Sequence, residues 1–246
     1  MNTATLGVLA AIVLCSVPAA AQQVGDVEWV EAVLAGEEAV PPAVAARGFG
    51  RLMKAAEAGS GTAQYGLGML FLAGRVVTQD DVTAAHWLAR AAEAGVAEAQ
   101  SNLGLLYLHG RGVPRDPQMA AELLRRAAAQ NVVAAQHNLG WMAQVGEGVA
   151  KDGKAAAGWY AAAAQSGYSQ SQYNLGVLLA SAEADGLRDP AAAVKWFALA
   201  GLSPHPDVRR RAAERLAELS RETPSALAAG GLEQARAWLA AGGRVY

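Results

Sequence analysis

The hexapeptide Ala63-Gln64-Tyr65-Gly66-Leu67-Gly68 returns three more times in one register. It reappears as Ala99-Gln100-Ser101-Asn102-Leu103-Gly104, as Ala135-Gln136-His137-Asn138-Leu139-Gly140 and as Ser171-Gln172-Tyr173-Asn174-Leu175-Gly176. Leu67, Leu103, Leu139 and Leu175 are therefore thirty-six residues apart, the length of one helix–turn–helix unit. One such unit cannot bury its own apolar face, whereas stacked neighbours bury a continuous core between them. The spacing predicts an all-α chain, an α/α solenoid of antiparallel helix pairs with about four full repeats and helical caps, in a single domain.

Each unit reads as two helices. In the first, Ala99, Leu103, Leu106 and Tyr107 fall at i, i+4, i+7 and i+8, one apolar face. This helix ends at Gly74, Gly110 and Gly146, and short loops such as Gly110-Arg111-Gly112-Val113 follow. Asp80, Asp116, Asp152 and Asp189 stand where the second helix begins and are its expected caps. Pro117 and Pro190 follow two of them, at the first helical position. The second helix repeats Ala84, Trp87, Ala91; Ala120, Leu123, Ala127; Ala156, Trp159, Ala163; and Ala193, Trp196, Ala200. It stops at Gly95, Asn131 and Gly167, and in the fourth unit at Pro204.

Gly68, Gly104, Gly140 and Gly176 lie inside the first helices, where glycine costs about 1 kcal/mol relative to alanine. Four occurrences at one site imply that two helices touch there with no room for a Cβ. Alanine is the commonest residue in the hydrophobic fraction of 53%, and 27 glycines accompany it, which suits closely approaching backbones.

The register extends outward. Residues 43–59 match a second helix, Val27 to Leu34 a degenerate first one, and Pro41-Pro42 separates them. Beyond the repeats, Asp207 to Arg221 reads as a charged amphipathic helix, and Leu227 to Leu239 as a helix broken at Gly230-Gly231. Before them, Leu6 to Val17 is an apolar run too short to span a bilayer. Ala19-Ala20-Ala21 and then Gln22 follow it, the pattern of a signal peptide cleaved near Ala21. Leu14 before Cys15 is too large for a typical lipoprotein site. The expected organisation is 1–21 signal peptide, 22–62 N-terminal cap or degenerate repeat, 63–203 four repeats and 204–246 C-terminal cap helices. The expected location is the periplasm or the secreted fraction. Because Cys15 is the only cysteine, the chain after the leader has no intramolecular disulfide or thiolate metal site.

The pattern Ala-x-x-x-Leu-Gly-x-x-Tyr-x-x-Gly-x-Gly-Val-x-x-Asp, followed by Ala-x-x-Trp-x-x-x-Ala-Ala-x-x-Gly, resembles the Sel1-like repeat, a relative of the tetratricopeptide repeat, over 63–203. Val76, Leu123, Ala143 and the fourth loop depart from it. The resemblance implies a right-handed superhelix whose first helices line a concave groove. The implied groove residues form two rows, Tyr65, Ser101, His137, Tyr173 and Met69, Leu105, Trp141, Val177. Both rows vary between units while the Leu, Gly and Ala columns do not, as expected of a specific groove on a fixed frame. A third row, Asn102, Asn138 and Asn174, is expected to bridge neighbouring units. The expected partner is a protein or peptide in the cell envelope, held by aromatic anchors, and the expected role is that of an adaptor or regulator.

No His-Glu-x-x-His, Gly-x-Ser-x-Gly, Ser-x-x-Lys or phosphate-loop motif occurs, and no histidine has a second ligand at helical spacing. The expected catalytic residues, metal ligands and cofactors are none, and the expected activity is non-enzymatic. The net charge of −2 argues against nucleic acid. The one basic cluster, Arg209-Arg210-Arg211, has Glu214, Arg215 and Glu218 beside it and reads as a solvated helix face. Membrane contact is expected only through a partner. Two competing readings stand: a hydrolase like the disulfide-rich relatives acting on β-lactam-like compounds, whose paired cysteines this chain lacks, and a structural protein that self-associates through a terminal face.

Overall fold

In the computed structural model, the described residues are 30, 33–34, 42–181 and 186–246. The signal peptide expected over 1–21 lies outside them. The described residues form eleven α-helices and no strand. The chain divides into two compact units, Met1–Val96 and Ala97–Tyr246.

The first unit contains α1 (Pro42–Glu57), α2 (Gly61–Ala73) and α3 (Asp81–Glu93). Its core joins Leu52 and Ala56 of α1, Ala63, Leu67 and Leu70 of α2 and Trp87 of α3. Val30 and Val33, both buried, complete it, in keeping with the apolar segment read upstream of α1.

The second unit runs α4 (Ala97–His109), α5 (Pro117–Ala129), α6 (Val133–Val145), α7 (Gly153–Gln165), α8 (Ser169–Ala180), α9 (Pro190–Ala200), α10 (Pro206–Glu222) and α11 (Ser225–Ala240). Helices pair in sequence order, α4 with α5, α6 with α7 and α8 with α9, as the thirty-six-residue period requires.

The aspartate column caps the second helices. Asp116 accepts from Met119 N at 3.0 Å, Asp152 from Lys154 N at 2.8 Å and Ala155 N at 3.0 Å, and Asp189 from Ala192 N at 3.0 Å. In the first unit Asp80 accepts from the Thr83 hydroxyl at 2.6 Å and from the Val82 and Thr83 amides. The Thr83 hydroxyl, with these amides, holds the Asp80 carboxyl below its ordinary value. At the other end of α5, Asn131 has φ 65° and is the only non-glycine at positive φ among the described residues. Gly95 and Gly167 occupy the same place after α3 and α7, with φ 89° and 93°.

The glycine column is where the paired helices touch. A Cβ on Gly68 would lie 2.6 Å from Leu88 Cγ, one on Gly104 3.1 Å from Leu124 Cγ, one on Gly140 2.6 Å from Tyr160 Cδ1 and one on Gly176 2.8 Å from Phe197 Cε1. Leu88, Leu124, Tyr160 and Phe197 are all fully buried, and they form a further column of the repeat. The glutamine column has its own task. Gln64 Nε2 donates to Ala56 O at 3.0 Å, and Gln172 Nε2 to Ala164 O at 3.2 Å. Gln64 and Gln172 thus tie the start of a first helix to the end of the helix before it.

The C-terminal cap differs from the sequence expectation in one respect. α11 is continuous through Gly230 and Gly231. A Cβ on Gly231 would fall 2.9 Å from Val194 Cβ and clash with the Ala191 carbonyl. Gly231 therefore lets α11 lie close on α9, and no break occurs there.

Candidate functional site

In the first unit Tyr65 and Met69 are half-buried on α2. The remaining positions of the two predicted rows lie on α4, α6 and α8 of the second unit, and their environments differ sharply.

Ser101 is 3% exposed, so its hydroxyl cannot meet a partner, a correction to the predicted row. Leu105 is half-buried against the core that α4, α5 and α6 share. Tyr173 and Val177 on α8 pack against the cluster that holds Phe197 of α9 and Leu216 and Leu219 of α10. The Arg211 guanidinium lies 4.7 Å from the Tyr173 ring centroid and donates to Gln170 Oε1 at 2.9 Å. The chain's own α10 thus takes up the surface that Tyr173 and Val177 were expected to offer. Sequence spacing placed these residues on a common face, but could not show that a helix more than thirty residues later returns to it.

His137 is drawn into the junction between the third and fourth repeats. Its Nδ1 lies 2.8 Å from Ser171 Oγ, and its ring packs on Tyr160 and Tyr168 with centroids at 5.6 and 5.0 Å. Burial pushes its pKa down from the usual 6.5 to about 4. Next to it the Tyr160 hydroxyl donates to Gln144 Oε1 at 2.8 Å, and burial, against a bond from Asn174, pushes its pKa up to about 12. These groups hold neutral forms and close the junction.

The Asn row is divided. Asn138 donates to Ala134 O of its own helix at 2.9 Å, whereas Asn174 reaches Tyr160 across the junction.

A serine and a histidine in hydrogen-bond contact invite comparison with a nucleophile and its base. Ser171 is 0% exposed, however, and the imidazole beside it titrates far below neutrality. The pair lies 34 residues apart in sequence, which is why motif spacing did not find it. Its geometry suits a structural bond.

What remains open is the outer end of α6. Trp141 is 39% exposed and Val145, one turn further on, 48%. The framework beneath them is fixed, since Leu139 and Met142 are buried in the core and Gly140 is pressed against Tyr160. Past Val145 lies a hollow of about 980 Å³ lined by Gln144, Val145, Lys151, Asp152, Lys154 and Leu178 among others. Its carboxylate, Asp152, is engaged in capping α7. Among the described residues no group of three or more His, Cys, Asp or Glu side chains is placed to hold a metal ion, and no helix is long and apolar enough to cross a membrane.

Comparison with known proteins agrees with this architecture. The family model described as Sel1 repeat matches residues 61–96, 97–132, 133–168 and 169–205. Among solved structures, a protective antigen present in uropathogenic Escherichia coli strains, displaying an SLR fold, is 31% identical with a TM-score of 0.64; the match covers 71% of this chain and 37% of that one. A Sel1 repeat protein from Oxalobacter formigenes is 30% identical with a TM-score of 0.58, covering 63% of each chain. The chain thus spans little more than a third of the first of these proteins and under two thirds of the second. No curated protein matches the chain.

Proposed function

The chain belongs to the Sel1 repeat family, and from that premise we propose that it is an exported, non-catalytic scaffold that binds a protein or peptide partner in the cell envelope. Sel1 repeat proteins as a class are protein-interaction scaffolds. The observation that carries the reading here is Trp141, a large aromatic left partly exposed on a helix whose other faces are locked in the core. Rigid, half-exposed aromatics give contact area at little entropic cost and are the commonest anchors of binding energy. Trp141 and Val145 form the centre of the proposed contact, with Leu105 in the same column one repeat earlier. His137, one turn before Trp141 on α6, faces inward and is held by Tyr160, Tyr168 and Ser171.

In-cell photo-crosslinking tests this reading, with a photoreactive residue at position 141 and another at exposed position 205 as control. One envelope protein captured from 141 alone is the expected result. Equal labelling from both positions, or none from 141, overturns it. With the captured partner purified, Trp141→Ala is expected to weaken binding by about 2 kcal/mol, roughly thirtyfold. Binding is expected to change little with salt, because the anchor is apolar.

Export is the second element of the proposal. It rests on the apolar run Leu6 to Val17 and the Ala19-Ala20-Ala21 site. Intact mass of the chain recovered from the envelope fraction is expected to correspond to a start at Gln22. A chain recovered only in the cytoplasm with its leader retained would exclude the envelope role while leaving the Trp141 contact open.

A further inference from the structure

Residues 243–246 turn back after α11 and dock on the turn between α7 and α8. The two hydrogen bonds that hold them flank Tyr168. Tyr246 N donates to Gly167 O at 2.9 Å, and Ser169 N donates to Tyr246 O at 2.9 Å. Both ending on one residue, they form a single rung of the kind that joins parallel strands. Ser169 N is the first amide of α8 and has no acceptor within its own helix. Tyr168, the residue before it, makes no side-chain cap. The returning segment therefore supplies the cap that α8 lacks.

The side chains of the segment are also received. The Tyr246 ring stands edge-on to Tyr168 with centroids 6.2 Å apart, and Tyr168 in turn packs on His137. Val245 packs on the core around Tyr160, Leu175 and Trp196. Gly167 has the space this requires, since a Cβ there would clash with the Arg244 carbonyl. The segment leaves α11 through Gly242, at φ 91°, a conformation that glycine adopts readily, and Gly243, whose amide donates to Trp238 O at 3.1 Å. Tyr246 remains 47% exposed.

We propose that the Gly167–Ser169 turn is a docking site for an extended peptide carrying an aliphatic–aromatic pair, and that residues 243–246 occupy it in cis as a displaceable plug. Backbone pairing supplies general affinity, while the Val245 and Tyr246 positions select the side chains, as in other sites that add a strand to an exposed backbone edge. A partner segment of the same pattern competes with the plug. The site is separate from the Trp141 surface and stands or falls independently of it.

The test uses the full chain with the plug weakened, Val245→Ser with Tyr246→Ser, and a labelled, amidated Gly-Arg-Val-Tyr peptide followed by fluorescence anisotropy. Saturable binding with a dissociation constant on the order of millimolar is expected, and about tenfold weaker binding or none to the unaltered chain, whose tethered plug competes at high effective concentration. Tyr168→Ala in the weakened chain abolishes binding. A weakened chain with intact helical signal that fails to bind, or that binds Gly-Arg-Ser-Ser equally well, overturns the proposal. Hydrogen exchange on the unaltered chain gives an independent check if the double variant does not fold. The Ser169 and Tyr246 amides are expected to exchange together and faster than the core amides of α8, through local opening. Exchange of both only with global unfolding would mean that the segment is a fixed part of the core, and the proposal fails.

Discussion

Gly140→Ala is expected to destabilise the chain by about 2 kcal/mol, although alanine is the better helix former by about 1 kcal/mol. The added Cβ would meet the Tyr160 ring at 2.6 Å from Cδ1 and 2.8 Å from Cε1. Tyr160 cannot move aside cheaply, because it is fully buried and its hydroxyl is bonded to Gln144. Gly158 provides the opposite case in the same unit. It lies inside α7, is exposed, and a Cβ there would meet nothing within 4 Å. Gly158→Ala is therefore expected to stabilise by up to about 1 kcal/mol through helix propensity alone. Gly104→Ala is expected to fall between them, since its nearest atom, Leu124 Cγ, is 3.1 Å away. Urea denaturation of the three variants measures the order directly. A Gly140→Ala chain as stable as the unaltered one would mean that the glycine column does not mark the helix contact.

The glycine column also shows how far the sequence could be read. Glycine inside a helix is unfavourable wherever it falls, so four copies in register had to be answered by four close contacts, and they are. The capping aspartates were legible for the same reason, since each acts within three residues of itself. The column opposite the glycines was not legible, because Leu88, Leu124, Tyr160 and Phe197 share only size and burial. A column defined by volume leaves no single-letter trace. The candidate site was less legible still. Periodicity correctly put Tyr65, Ser101, His137 and Tyr173 in equivalent positions, but exposure depends on what packs over each. Tyr173 is covered by Arg211, 38 residues later, and His137 by Tyr168 at the end of its own repeat and Ser171 of the next. Only non-local packing separates Trp141 from its row-mates, and a period carries no information about that.

Acidification supplies the second large effect, through His137. Its folded pKa of about 4 lies below the ordinary 6.5 because burial disfavours the imidazolium. The unfolded chain therefore takes up the proton first as pH falls. The stabilising contribution of the neutral, buried ring is complete above pH 6.5 and is lost progressively as pH falls from 6.5 to 4. The loss amounts to about 3 kcal/mol over that interval. Carboxylates titrate towards its lower end as well, so the unaltered chain is compared with His137→Gln, in which only the imidazole is missing. The variant is expected to be less stable at pH 7, because the ring packs on Tyr160 and Tyr168 and bonds Ser171. Its stability is also expected to fall less steeply between pH 6.5 and 4, so that the two curves converge. Urea midpoints at half-unit pH steps would show this. Parallel curves would mean that the ring is protonated as readily in the folded chain as in the unfolded one, and that the repeat junction is open to water. Convergence would place an acid-sensitive point of the second unit at His137, one helical turn before Trp141 on α6.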